Sequence, residues 1–218
     1  MMALAGAYPR FTPGAPRSGV LEIVPDKAAL DQVTREIRHI PGALARMWPP
    51  ALNAAAQETR TVLYKEFLLR MNIARKGSVK KRLELKPKAT RHHPVAGVRI
   101  ALSRFTVASF KGVRQLKEGV RWSAAPGAQR VIPRAFVRKG FTHDKTGGYL
   151  NLKQVWRRKS EGGRLVPRYP LSLLRGPSLA AVWENKPALR RQTEKQAGEI
   201  AVKKVSQQVA RILARATR

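Results

Sequence analysis

Cysteine is missing altogether, which excludes disulfides, thiolate zinc sites and cysteine nucleophiles. Acid is scarce: 13 Asp+Glu stand against 44 Lys+Arg, for a formal net charge of +31. Asp26, Asp31 and Asp144 are the only aspartates, and the acidic residues are scattered rather than paired for acid–base work. Aromatics make up 6%, and no segment pairs them as a stacking platform for single strands requires. No run approaches the roughly eighteen uncharged apolar residues of a membrane span. The opening "MMALAGAYPRF" lacks a basic stretch followed by a sustained apolar one, so the chain reads as soluble and intracellular, without a signal peptide. Glycine loops of the Gly-x-x-x-x-Gly-Lys-Ser/Thr or Gly-x-Gly-x-x-Gly type are absent, so no phosphate cradle is expected. The histidines, His39, His92, His93 and His143, show neither His-x-x-x-His nor His-Glu-x-x-His spacing. No metal, cofactor or catalytic site is therefore expected.

What is present is cation on a chain that can still fold. Hydrophobic residues reach 43%, enough to build a core and to argue against wholesale disorder. A charge of this size repels itself and calls for an anionic neighbour. Nucleic acid comes first among the candidates, then an acidic protein surface, then anionic lipid.

Along the chain, residues 1–25 read as an extended arm, rich in Pro, Gly and Ala up to residue 18, with one short strand at 19–24. Residues 26–83 read as helical. Asp26 stands at an N-cap position, and Leu30, Val33, Ile37 and Ile40 follow at helical spacing. Pro41 ends or kinks that helix. A second helix stops at "WPP" (48–50), and a third carries Leu52, Ala55, Ala56, Thr59, Val62, Leu63 and Phe67 to about Met71. Ser78 is placed to cap a short helix through Leu83.

Residues 84–176 form a β-rich core. The period changes to alternation in "VAGVRIALSRFTV" and "GVRW", as in short antiparallel strands. Turns at 141–148 and 158–164 flank a strand at 149–157. In 177–218, Ser178 caps a helix after Gly176-Pro177, Pro187 restarts it, and a long helix runs to the end. That helix bears nine Lys+Arg from Lys186 onward and a thin stripe of Ala197, Ala201, Val205, Val209, Ile212 and Ala216. The stripe suits packing within its own domain or docking on a neighbouring subunit. The fold class is α+β: helical first, a small central antiparallel sheet or barrel, and long C-terminal helices.

The densest basic run, "NIARKGSVKKRLELKPKATRHH" (72–93), supplies the leading candidates for DNA proximity: Lys76, Lys80, Lys81, Arg82, Lys86 and Lys88. Arg157, Arg158 and Lys159 come second. Because the whole chain is basic, backbone electrostatics are favoured over base reading. "RVIPRAFVRKG" (130–140) alternates like a strand, and Pro133 confines it to a sheet edge or a bulge. Parity sets Val131, Ala135 and Val137 on the apolar side and Ile132 and Phe136 on the cationic one, so a bulge at Pro133 is expected to bury both.

Four segments taken in order resemble the phage minor tail protein Z family, the tail-completion proteins of long-tailed bacteriophages. They are "NIARKGSVKKRL" (72–83) with "KAT" (88–90), "FTVASF" (105–110), "VIPRAFV" (131–137) and "YPLSLLRGPSLAAVW" (169–183). The resemblance covers about 50–218, and Arg134 departs from it where the family usually has glycine. It implies a non-enzymatic virion protein at the head-proximal end of the tail, made in the host cytoplasm, which readies the tail for head–tail joining and DNA passage. It further implies a homo-oligomeric ring of six, with tail terminator, tail tube or head–tail connector proteins as neighbours. Genomic DNA would lie in the channel and be met without sequence preference, and no membrane is involved. The alternative is a free, sequence-nonspecific nucleic-acid-binding protein of architectural or ribosomal type.

Overall fold

The computed structural model describes residues 18–23, 31–32, 35–37, 39–40, 42–143, 149–158, 160–161, 164–165 and 171–216. The architecture is mixed α+β, with helix early, small antiparallel sheets in the middle and a long helix last. Compactness groups the chain into two discontinuous units: residues 1–66, 80–102 and 179–218, and residues 67–79 and 103–178. The stretches 26–83 and 84–176 therefore each divide between them. The reason is strand pairing: residues 83–101 pair with one another and with the strand at 18–23, not with the strands that follow.

In the first unit, β1 (Ser18–Ile23), β2 (Leu83–Leu85) and β3 (Ala96–Ala101) form an antiparallel sheet in the order β1-β3-β2. The central strand buries Val98 and Ile100 and exposes Arg99. Gly97 sits where a Cβ would come within 3.0 Å of the Leu21 carbonyl and 3.1 Å of the Pro87 ring. Only glycine lets both neighbours approach so closely.

Helix α1 spans Ala43–Arg70 without interruption, through Pro49 and Pro50. This corrects the expected stop at "WPP". A proline inside a helix costs about 3 kcal/mol, but here it falls within one continuous apolar stripe. Ala43, Met47, Ala51, Leu52, Ala55, Ala56, Thr59 and Leu63 are all buried, and burial of that face outweighs the two missing N–H donors. Pro49 and Pro50 cannot donate to the carbonyls four residues back, those of Ala45 and Arg46, and both of these residues are exposed. Upstream, Asp26, Leu30 and Val33 lie outside the described residues. The described part of that stretch is helical at 31–32, with a 3-10 turn at Arg35–Ile37.

α2 covers Lys76–Lys80, α3 Leu179–Glu184 and α4 Pro187–Ala216. Ser78 lies within α2 rather than capping it, and its hydroxyl donates back to the Arg75 carbonyl (2.6 Å). Ser178 immediately precedes α3, and Pro187 is the first residue of α4, where its missing N–H costs nothing. The α4 stripe packs within its own unit: Ala197 and Ala201 join Ile23, Leu52, Ala55 and Ala56. Val205 and Val209 join Ile37, Met47 and Ala51. Lys204 on α4 reaches Glu58 on α1 at 2.7 Å.

The second unit contains two three-stranded antiparallel sheets. One is β4 (Arg114–Gln115), β5 (Gly119–Ser123) and β6 (Gln129–Pro133), in the order β4-β5-β6. The other is β7 (Ala135–His143), β8 (Tyr149–Arg158) and β11 (Leu171–Leu173), in the order β11-β8-β7. The short strands β9 (Ser160–Glu161) and β10 (Arg164–Leu165) pair with each other. "RVIPRAFV" is thus two strands, not one. β6 ends at Pro133, Arg134 turns with φ 59°, and β7 begins in the other sheet. The alternation does break at Pro133, as a strand break rather than a bulge. Ile132 packs on the core of Val107, Val120, Ala135 and Val155, where Val137 also packs, while Val131, expected on the apolar side, points outward, 42% exposed. Both strands do lie at sheet edges among the described strands.

Phe110 is the centre of the second unit. Its ring meets Phe105 (centroids 6.0 Å) and Trp122 (5.3 Å) edge to face, an arrangement that adds to the burial of three large side chains. The backbone of 72–74 is fastened beside it. Asn72 N–H donates to the Ala124 carbonyl (3.0 Å), Ala74 N–H to Ser109 (2.9 Å) and Lys111 N–H to Asn72 (2.7 Å). Residues 174–177 come from the other end of the unit: Val107 N–H donates to Leu174 (3.1 Å) and Gly176 N–H to Phe105 (2.7 Å).

Two outcomes follow from this packing. A Cβ on Gly176 would lie 2.6 Å from Phe110 Cε2, and Phe110 is buried, so Gly176→Ala should lower unfolding free energy by about 1–3 kcal/mol. An unchanged denaturant midpoint would refute the clamp. The hydrogen bond and charge of Lys204 hold the Glu58 carboxyl below its ordinary 4.5. The stability this confers is present above that value and is lost as pH falls through the lower, folded-state pKa. The partners are substantially exposed, so Glu58→Gln should cost no more than about 1 kcal/mol near neutrality and should flatten the acid limb of a stability–pH curve.

Candidate nucleic-acid interface

Between the middle of α1 and β2 lie two adjoining shallow depressions of about 210 and 300 Å³, and Gln57 lines both. The helix contributes Asn53, Gln57, Arg60 and Tyr64 at spacings of three and four, a stripe flanking the buried one. The facing chain contributes Lys80 and Lys88. Two side chains fix the spacing of these walls. Asn53 makes a paired contact with Ala89: its Nδ2 donates to the Ala89 carbonyl (3.0 Å), and the Ala89 N–H donates to Oδ1 (2.9 Å). Arg60 Nη2 donates to the Lys80 carbonyl (3.0 Å), and Arg60 Nε is buried with no hydrogen-bond partner.

Of the candidate cations, Lys80, Lys81, Arg82, Lys86 and Lys88 belong to this unit. Lys80, Lys81 and Lys88 are exposed, and no acidic side chain among the described residues pairs with them. Lys86 is exposed but lies 3.5 Å from Glu84. Arg82 is half-buried, and burial pushes its guanidinium pKa down. Its half-buried position leaves it less open to a phosphate than its exposed neighbours. Lys76 and Arg157 are exposed but belong to the other unit, so the six-residue cluster is not one patch of one body. Arg158 ends β8. Lys159 lies outside the described residues. His92 and His93 are exposed, and no group of three His, Asp or Glu that could hold a metal occurs among the described residues. No helix among them is long and apolar enough to cross a membrane.

Flexible ammonium groups on an open surface neutralise phosphates as point charges and do not read bases. That is the chemistry this surface offers. Sequence reading missed Arg60, whose signal was its place in the stripe of Asn53, Gln57 and Tyr64. It also missed the arginines of β4 and β5, whose signal was the hairpin pattern "GVRQLKEGVRW".

A scan against protein-family models, a search of curated proteins and a search of solved structures each return no match for this chain.

Arg134 is the one non-glycine residue with positive φ among the described residues. A side chain there costs about 1–2 kcal/mol, partly offset in glycine by its larger loss of chain entropy. Arg134→Gly should therefore raise stability by about 0.5–1 kcal/mol. A lower melting midpoint in that variant would mean that the arginine side chain supplies a contact of its own.

Proposed function

We propose that this chain is a non-enzymatic structural subunit of a phage tail, acting at the head-proximal end to make the tail competent for head joining and DNA passage. One observation carries the reading. Most of the residues that resemble the tail-completion family lie where the second unit is packed together, while 80–83, 88–90 and 179–183 belong to the first unit. Residues 72–74, 105–110 and 174–177 meet around Phe110, and 131–137 forms the crossover between its two sheets. Motifs whose residues pack and hydrogen-bond to backbone, with no converging titratable groups, suit a scaffold rather than an enzyme. Further support comes from position 134, which the family fills with glycine and whose backbone here is left-handed.

In this reading copies of the chain form a closed ring, six by analogy with the family, abutting tail or connector proteins. The exposed lysines of the α1–β2 surface face the DNA path, where a +31 subunit gains from phosphate neutralisation without reading sequence.

Changing Lys80, Lys81 and Lys88 together to Gln, in a phage carrying this chain, should leave tails assembled and reduce DNA delivery. Particle counts by electron microscopy set against plaque titre make the measurement. Full infectivity in the triple variant would remove the DNA-path assignment. A monomer that never enters tails yet binds duplex tightly would favour the free nucleic-acid-binding protein instead.

A further inference from the structure

The β4–β5 hairpin sets Arg114 directly opposite Arg121. In an antiparallel pair, opposed residues have Cα atoms about 5.5 Å apart when they share hydrogen bonds, and like charges so placed destabilise the sheet. Both arginines are exposed. Among the described residues neither guanidinium has an ion pair or hydrogen bond. Val131 on β6 is the next residue in the same row and is 42% exposed. The inner face of the same strands is occupied by Val120, Trp122 and Ile132, so the arginine row lies on the outer face.

The adjoining sequence is itself strongly basic. From 103 to 143 the sequence has nine Lys+Arg and a single acid, Glu118. A third cation stands beside the hairpin turn: the Arg134 N–H donates to the Glu118 carbonyl (3.0 Å), with arginine at a left-handed backbone position that glycine fills at less cost. Unfavourable charge pairing and unfavourable backbone thus coincide at one end of one small sheet.

We propose that the outer face of β4-β5-β6 is a docking surface for the phosphodiester backbone of duplex nucleic acid, with Arg114 and Arg121 as its central contacts and Arg134 at its margin. A phosphate accepting from both guanidiniums turns the repulsive pair into a bridged one, and the planar fork of arginine matches phosphate better than an ammonium does. A second copy of this chain is a poor occupant, since it also carries +31. Recognition by base stacking is not available on this face. Trp122, the aromatic of these strands, is turned inward against Phe110. Binding is therefore base-blind.

This surface belongs to a different unit from the α1–β2 lysines. Its test uses the free chain, so it stands whether or not the chain is a tail protein.

The experiment is fluorescence anisotropy of the purified full-length chain on labelled duplex DNA across a salt series. Arg114→Gln/Arg121→Gln should make the slope of log K against log salt shallower by about 1.8, two contacts at 0.9 each, alike on unrelated sequences. Arg114→Lys/Arg121→Lys should keep the slope and lose affinity. Relief of the opposed charges should raise the melting temperature of the Gln variant, which also shows that it folds. In addition, inorganic phosphate should stabilise the wild-type chain more than it stabilises that variant. A folded Gln variant with the wild-type slope overturns the proposal. So does poly-L-glutamate of equal charge displacing the labelled duplex as well as unlabelled duplex does, because the face would then be selecting charge and not phosphate.

Discussion

The ring of Phe110 sits where three stretches of chain far apart in sequence meet, 72–74, 105–111 and 174–177. Phe105 and Trp122 meet it edge-on, and Gly176 lies against it with no room for a methyl group. The backbone bonds that join 72–74 to 109–111, and 105–107 to 174–176, depend on those contacts. Each spans a long loop, and closing such loops has an entropic cost that local bonds alone would not offset. Burial of Phe105 and Phe110, with Trp122 half-buried beside them, provides the compensation, and the small sheets of the second unit are arranged around it. Gln115 extends the same logic to the sheets themselves. Its Nε2 donates to the Ala135 carbonyl (3.4 Å), and its Oε1 accepts from the Val137 N–H (2.8 Å). A side-chain amide thereby takes the place of a strand where β4 meets β7.

Much of this could be read from the chain in advance. The turn chemistry of Gly176-Pro177-Ser178, the start of α4 at Pro187 and the strands at 96–101, 119–123 and 149–158 all follow from local pattern, whereas the helix expected through Leu83 ends at Lys80 and Leu83 opens a strand. What local pattern handled badly was competition between a local signal and a distant one. "WPP" is a strong local stop, but the apolar stripe on either side of it keeps phase, and burial along the whole stripe prevails. "RVIPRAFV" alternates well enough to pass for one strand. The φ of Arg134 is invisible in an arginine codon, whereas a glycine there would have announced the turn. The basic run 72–93 was legible as a surface but not as two surfaces, because the boundary between units falls inside the five residues of α2.

Charge is disposed differently in the two units. On the α1–β2 surface of the first unit, Lys80, Lys81, Lys86 and Lys88 occupy a helix end and loops, where long flexible stems let the ammonium groups spread apart in water. In the second, arginines are fixed on a pleated face at spacings the hairpin dictates. A lysine fringe tolerates its own repulsion by moving, whereas opposed arginines on paired strands cannot separate. Electrostatic strain in this molecule is therefore local, and salt should relieve the second unit more than its share of the net charge suggests.

The C-terminal helix limits how copies of this chain could meet. Its stripe is thin because its partner is close. Ala197 and Ala201 pack with Leu52, Ala55 and Ala56, and Val205 and Val209 with Met47 and Ala51. Small residues on both helices allow an approach that larger side chains would prevent. Ile212 and Leu213 cover the last part of the same seam. A stripe already used in this way is not available to a neighbouring subunit unless α4 first leaves α1, which would expose the main core of the first unit. The beyond-seam faces of α4 carry Arg191, Lys195, Lys203, Arg211 and Arg215, all exposed, and two such faces repel each other. A ring built from this chain therefore cannot use the α4 stripe as its subunit contact, and the cationic faces of α4 can serve only against a different, less basic surface of the neighbour.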